Sequence, residues 1–332
     1  MKKMYPLLSS SVGLLIVLLL LSLLNNQVSA AVSVDPLTSA AYDALDYLLT
    51  QQDPKTGGYG TGASSSDTTL AIGSGGYEAS EWRNGDDSLS LSEYWLSNAR
   101  GYSKVTAGEA GKLVMGLVAA DSCLPSDAAK PENFYDSATG IYHPDSINQA
   151  FAILGLASKN QPIPPKAVDY LKSKIQLDGG WKYGDLPFFT TDTNTTAAVV
   201  MALLAAGETS ATTEVISGVN FIKSSQGTDA GFFYSDVYTT TSDTNSTAYA
   251  VQAIIAAGED PTAGRWVVGS TDPISYLLDL QLPDGSFEWM KGEGSNILAT
   301  QQAVPALLKR PFPIKKAKLP PCPLFIPYVS LW

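Results

Sequence analysis

Histidine is all but absent from this 332-residue chain: His143 is the only one, and Cys123 and Cys322 are the only cysteines. A Ser-His catalytic pair therefore has little to draw on, and no Gly-x-Ser-x-Gly elbow is present to supply its serine. Zinc is held by clustered cysteine, histidine and carboxylate, but His143 stands beside a turn and Cys123 has no ligand nearby in the sequence, so neither a metal nor another cofactor is expected. The two cysteines either pair, as an exported chain allows, or stand as separate thiols.

Positive charge is scarce too. Of 21 cations, two (Lys2, Lys3) open the chain and five (Lys309, Arg310, Lys315, Lys316, Lys318) lie near its end, which leaves fourteen against 32 acids and a body of charge near −18. Such a surface repels nucleic acid and anionic membrane, and it disfavours diphosphate substrates. With 45% hydrophobic and 16% charged residues the composition is that of an ordinary globular protein.

Lys2 and Lys3 precede an apolar run at residues 12–24, and Val28-Ser29-Ala30 has the small-x-small form of a secretory cleavage site. Residues 1–30 are expected to be a signal peptide cut after Ala30, an uncleaved anchor being the alternative, with the body secreted or held at the cell surface. No membrane span is expected after cleavage. At the other end, residues 311–332 form a tail rich in proline and lysine, too short and too proline-rich to cross a bilayer. It reads as a strap on the body or as a retention signal.

Between these ends one stretch repeats. TDTNTTAAVVMALLAAGE, residues 191–208, returns as SDTNSTAYAVQAIIAAGE, residues 242–259. Each copy opens with helix-capping residues, Asp192 or Asp243, and stops at glycine, Gly207 or Gly258. From Ala197 to Ala206 the helix is apolar on every face, so other helices must surround it. Amphipathic helices alternate with these inner ones and end in Tyr47-Leu48 before Gln52, Tyr170-Leu171 before Gln176, Phe221-Ile222 before Gln226 and Tyr276-Leu277 before Gln281. Glycine and an aromatic follow each: Gly58-Tyr59, Gly180-Trp181, Gly231-Phe232 and Gly285-Ser286-Phe287. Inner helices starting near 67, 106, 146, 194, 245 and 296 make six units, and six hairpins close a ring.

This pattern of aromatic-Leu-x-x-x-Gln followed by Gly-x-aromatic resembles the repeat of the terpenoid cyclase and protein prenyltransferase superfamily. The resemblance spans nearly all of residues 36–310 and implies an all-α, single-domain α6/α6 toroid. The last unit, from Leu282-Pro283-Asp284-Gly285 to Leu308, also resembles the final barrel hairpin of the intrinsic factor and transcobalamin family.

What the resemblance implies for chemistry is mostly subtraction. Class II cyclases protonate substrate with the middle acid of Asp-x-Asp-Asp-Thr-Ala. The matching residues here run Asp192, Thr193, Asn194, Thr195, Thr196, Ala197, so that an amide, no general acid, holds the donor position. The usual cyclase also has a second barrel. The prenyltransferase zinc triad and the Cys-Gly-Glu-Gln run of thioester toroids are missing. Asp67, Asp145, Asp192 and Asp243, all expected at inner-helix starts, are either helix caps or the paired acids of a polysaccharide lyase or hydrolase. Asn194 and Asn245 also sit in glycosylation sequons.

The expectation is a secreted toroid that binds rather than catalyses. Asp192, Asn194, Thr195, Asp243, Asn245, Ser246, Gln149, Gln301 and Gln302 would meet a neutral polar small molecule, a glycan or a corrinoid, at the toroid mouth. The alternative is an enzyme of the terpene cyclase type, or a polysaccharide lyase or hydrolase working through the rim carboxylates.

Overall fold

The computed structural model describes residues 35–315 and Cys322. The expected signal peptide, the expected cleavage after Ala30 and most of the tail lie outside the described residues. Among the described residues there are eleven α-helices, two short 3-10 helices and one small hairpin. The inner helices are α2 (Gly62–Gly75), α4 (Ala107–Ala119), α5 (Ser146–Ser158), α7 (Thr193–Ala205), α9 (Thr244–Ala256) and α11 (Ile297–Leu307). They pack in a closed cycle, α2 on α4, α4 on α5, α5 on α7, α7 on α9, α9 on α11 and α11 back on α2. Residues near the helix starts meet across the seams, Lys112 with Asp67 and Asn245 with Gln302, so the inner helices run parallel with their N-termini at one mouth.

The outer layer is α1 (Pro36–Thr50), α3 (Leu91–Ser103), α6 (Pro165–Ser173), α8 (Thr213–Ser224) and α10 (Pro273–Leu278). Three of these begin with proline, whose missing N–H is harmless in a first turn. The third outer position is not an α-helix. It is the 3-10 turn Pro131–Phe134, packed on α4 and α5. Behind it those two inner helices come together at glycine: a Cβ on Gly155 would lie 2.6 Å from the Gly111 Cα, and one on Gly111 would press into the Phe151 carbonyl.

Capping follows the repeat. Thr61, Thr106, Asp192, Asp243 and Asn296 each accept from a backbone N–H of their helix's first turn, worth about 0.5–2 kcal/mol apiece. Asp145 stands at the same place without a side-chain cap bond. Helix α2 starts at Gly62, capped by Thr61, so Asp67 is no cap but lies well inside the helix.

In three of the repeats the glutamine is a brace. Gln52 Nε2 donates to the Gly57 carbonyl of its own turn and to the Trp82 carbonyl beyond it. Gln226 does the same with Ala230 and Trp266, and Gln281 with Gly285 and Ala40. The last of these ties the final unit to the first outer helix, which closes the outer layer. The turn aromatics Trp181, Phe232 and Phe287 are fully buried, each worth roughly 1.5–3 kcal/mol of burial. Cys123 and Cys322 form a disulfide with Cα atoms 4.9 Å apart, which settles the pairing the sequence left open and fastens residue 322 beside the end of α4. No helix among the described residues is long and apolar enough to cross a membrane.

Candidate functional site

Most of the repeated opening is consumed by structure. Asp192 and Asp243 cap their helices, to Thr195 N at 2.7 Å and to Ser246 N at 2.8 Å. The next residue anchors the following repeat: Thr193 Oγ1 donates to the Phe233 carbonyl and Thr244 Oγ1 to the Glu288 carbonyl. The fourth residue after the cap holds the turn aromatic, since Thr196 accepts from Trp181 N, Thr247 from Phe232 N and Thr300 from Phe287 N, each at 2.9 Å. The asparagine is left over. Two residues past the cap it faces the lumen, as position six and position nine do on the same helical face.

A pocket of about 320 Å³ opens there, lined by Asn194, Tyr234, Asp243, Asn245, Ser246, Trp289, Leu298 and Gln302. Asn245 Nδ2 donates to Gln302 Oε1 at 2.7 Å, while Asn194 Oδ1 is a buried acceptor with no hydrogen-bond partner. Ser246 Oγ donates to Asp243 Oδ2 at 2.7 Å. Burial raises the Asp243 carboxyl above the usual carboxylate range, against the bonds from Ser246 and the Trp289 indole. Asp192, 1% exposed, is pushed up to about 6 by burial, with the Thr195 and Tyr234 hydrogen bonds opposing. Its Oδ2 is buried without a partner at full hydrogen-bond distance. Deeper in the lumen Leu70, Met115, Leu154, Met201 and Gln252 are all at most 2% exposed. The axis is therefore packed shut below the mouth.

The nine expected residues divide accordingly. Asn194, Asp243, Asn245, Ser246 and Gln302 line one pocket. Asp192 and Thr195 are buried behind it. Gln149 and Gln301 are elsewhere and already occupied. Gln149 Oε1 accepts from Tyr142 N and His143 N, and its Nε2 donates to the Gly140 and Ala167 carbonyls, so it replaces both the missing outer-helix glutamine and the hydroxyl of the third unit. Gln301 Nε2 donates to Ser64 and Thr68 and zips α11 to α2. Of the four acids, Asp67 is not at a helix start but deeper in α2, paired with Lys112, and Asp145, at its helix start, lies 3.6 Å from His143.

Tyr234, Trp289 and Leu298 were not foreseen. A signal for two of them exists, because an aromatic recurs two residues after the turn aromatic in three units, as Tyr183, Tyr234 and Trp289. Residues two apart on an extended segment point the same way.

No family model matches the sequence, and no curated protein is detectably similar. Solved structures do match. The type II terpene cyclase MstE from Scytonema, in its apo form, aligns with a TM-score of 0.56 at 14% identity, over 82% of this chain and 98% of that one. Variants of it bound to merosterolic acid A, the product, and to geranylgeranyl dihydroxybenzoate, the substrate, each give a TM-score of 0.57 at 14% identity over 82% of this chain, and 96% and 97% of theirs. This chain is a terpenoid cyclase-like α/α toroid. At such identity the likeness fixes the fold alone. That cyclase is matched over 98% of its own length by this one toroid.

Proposed function

We propose that the mouth of this toroid binds a small neutral ligand carrying both hydroxyls and an apolar face, without cyclising polyprenes by the class II proton route. The observation that carries the reading is the convergence of three amides, Asn194, Asn245 and Gln302, with the rings of Tyr234 and Trp289 in one pocket. Amides supply donors and acceptors, and rings supply a surface to stack on. A volume of about 320 Å³ sits at the low end of small-molecule sites, which favours a sugar or a short amphiphile over a corrinoid. A secreted or surface location would suit a glycan.

The structural neighbours favour a second reading, an enzyme of the terpene cyclase type, more than they favour binding alone. Asp192, held near 6 by burial, is the acid it would use, since Asn194 cannot donate a proton. One experiment separates the two. Purified protein is incubated with squalene and with geranylgeranyl dihydroxybenzoate and titrated with neutral oligosaccharides by calorimetry. Binding that weakens in Asn194→Ala and Asn245→Ala, with no cyclised product, supports the first reading. Turnover abolished by Asp192→Asn overturns it in favour of the second.

A further inference from the structure

One level below the mouth, a charged pair stands in the lumen. The sixth residue after each inner-helix cap is, in ring order, Asp67, Lys112, Phe151, Ala198, Tyr249 and Gln302. Lys112 Nζ donates to Asp67 Oδ1 at 2.7 Å and lies 5.3 Å from the centre of the Phe151 ring. The two charged side chains are 15% and 10% exposed. Tyr249, on the inner helix opposite Lys112 in the ring, is close enough for both charges to act on its phenol. Gln302, between Tyr249 and Asp67, is itself a wall of the mouth pocket.

An ion pair taken this far from water loses several kcal/mol of hydration per ion, and well-packed apolar side chains of similar volume are often as stable or more so. Phe151 and Ala198 show that apolar residues fit this level. The ammonium has three donors and spends one on Asp67, while the carboxylate keeps acceptor sites to spare. A free donor beside a free acceptor, with no net charge, suits a hydroxyl, which accepts and donates at once. A bare anion would meet Asp67, and a bare cation would meet Lys112.

We propose that Lys112 and Asp67 form the floor of the mouth site and bind a hydroxyl of a neutral polyhydroxy ligand that enters along the axis. This rests on the reading of the mouth as a binding site. The test is calorimetry with cellotetraose, maltotetraose, mannotetraose and chitotetraose on wild type, Lys112→Met, the double variant Lys112→Met/Asp67→Leu, and Asn245→Ala. The saccharide bound by wild type should lose about tenfold or more in affinity in Lys112→Met and in the double variant, the latter melting at or above wild type. Affinity kept in the double variant but lost in Asn245→Ala overturns the floor and leaves the mouth standing. A double variant that melts far below wild type makes the pair a structural element and overturns the proposal. If none of the four binds wild type, the floor proposal falls, while the mouth reading, which also admits a short amphiphile, does not fall with it.

Discussion

The closest inner seam, between α4 and α5, makes the sharpest test of the ring. Replacing Gly111 with alanine puts a methyl group against the Phe151 carbonyl and 2.8 Å from Ala152 N. These are backbone atoms of a buried helix, so neither can rotate aside as a side chain would. Alanine gains about 0.5–1 kcal/mol of helix propensity over glycine, whereas forced overpacking costs about 1–3 kcal/mol, and the rigid surroundings put this site at the upper end. The net loss should be about 2 kcal/mol, which lowers the melting temperature by roughly 3 °C in a chain of this size. Gly101→Ala is the control. It lies in outer helix α3 with nothing within 4 Å of the added carbon, so only the propensity gain applies and the melting temperature should rise by about 1–2 °C. Thermal unfolding followed by circular dichroism reads both. A Gly111→Ala protein as stable as wild type would mean that α4 and α5 do not touch, and the ring would not close as described.

Two further outcomes follow from buried polar groups. Gln149→Leu strips partners from the Tyr142 N–H and from the Gly140 and Ala167 carbonyls, and should cost about 3–5 kcal/mol by urea unfolding. Gln176→Leu, whose Nε2 reaches only the Lys174 carbonyl, should cost under about 1 kcal/mol, and equal losses would refute the brace. Asp192 is held at about 6 in the fold against about 3.9 unfolded, so the folded state binds the extra proton and stability falls as pH rises from 4 to 6, by up to about 3 kcal/mol. Asp192→Asn keeps a capping oxygen and should be more stable than wild type at pH 7, with that slope removed. Stability rising with pH in the same window in wild type alone would show Asp192 to be ionised and paired.

Much of the fold could be read from the chain because the repeat states its own physics: a capping residue, an all-apolar helix, a glycine stop, then a glutamine before a glycine and an aromatic. The sequence points to a start of α2 near 67, whereas the helix begins at Gly62. Its first turns, Gly62-Ala63-Ser64-Ser65-Ser66, have little helix propensity, and burial against neighbouring helices overrides it. Gln149 was assigned to a ligand because nothing local says that its unit has lost an outer glutamine. Lys112 and Asp67 are 45 residues apart, and only the packing of consecutive inner helices brings them together.

These failures share a cause. Positions that recur are the ones each unit needs in order to fold, and the two best copies share the cap, the anchoring threonine and the threonine that holds the aromatic turn. Function, if it lies on the axis, must use positions where the units differ, because a ligand meets the ring from inside and sees all six side chains of one level at once. At the second residue after the cap these are Ala63, Gly108, Ile147, Asn194, Asn245 and Leu298, and at the sixth Asp67, Lys112, Phe151, Ala198, Tyr249 and Gln302. Polar groups gather on α7 and α9 at the upper level and on α2, α4, α9 and α11 at the lower one. Such asymmetry is what orients a ligand in a ring of near-equivalent helices. In a toroid built from repeats, the departures from the repeat mark the site.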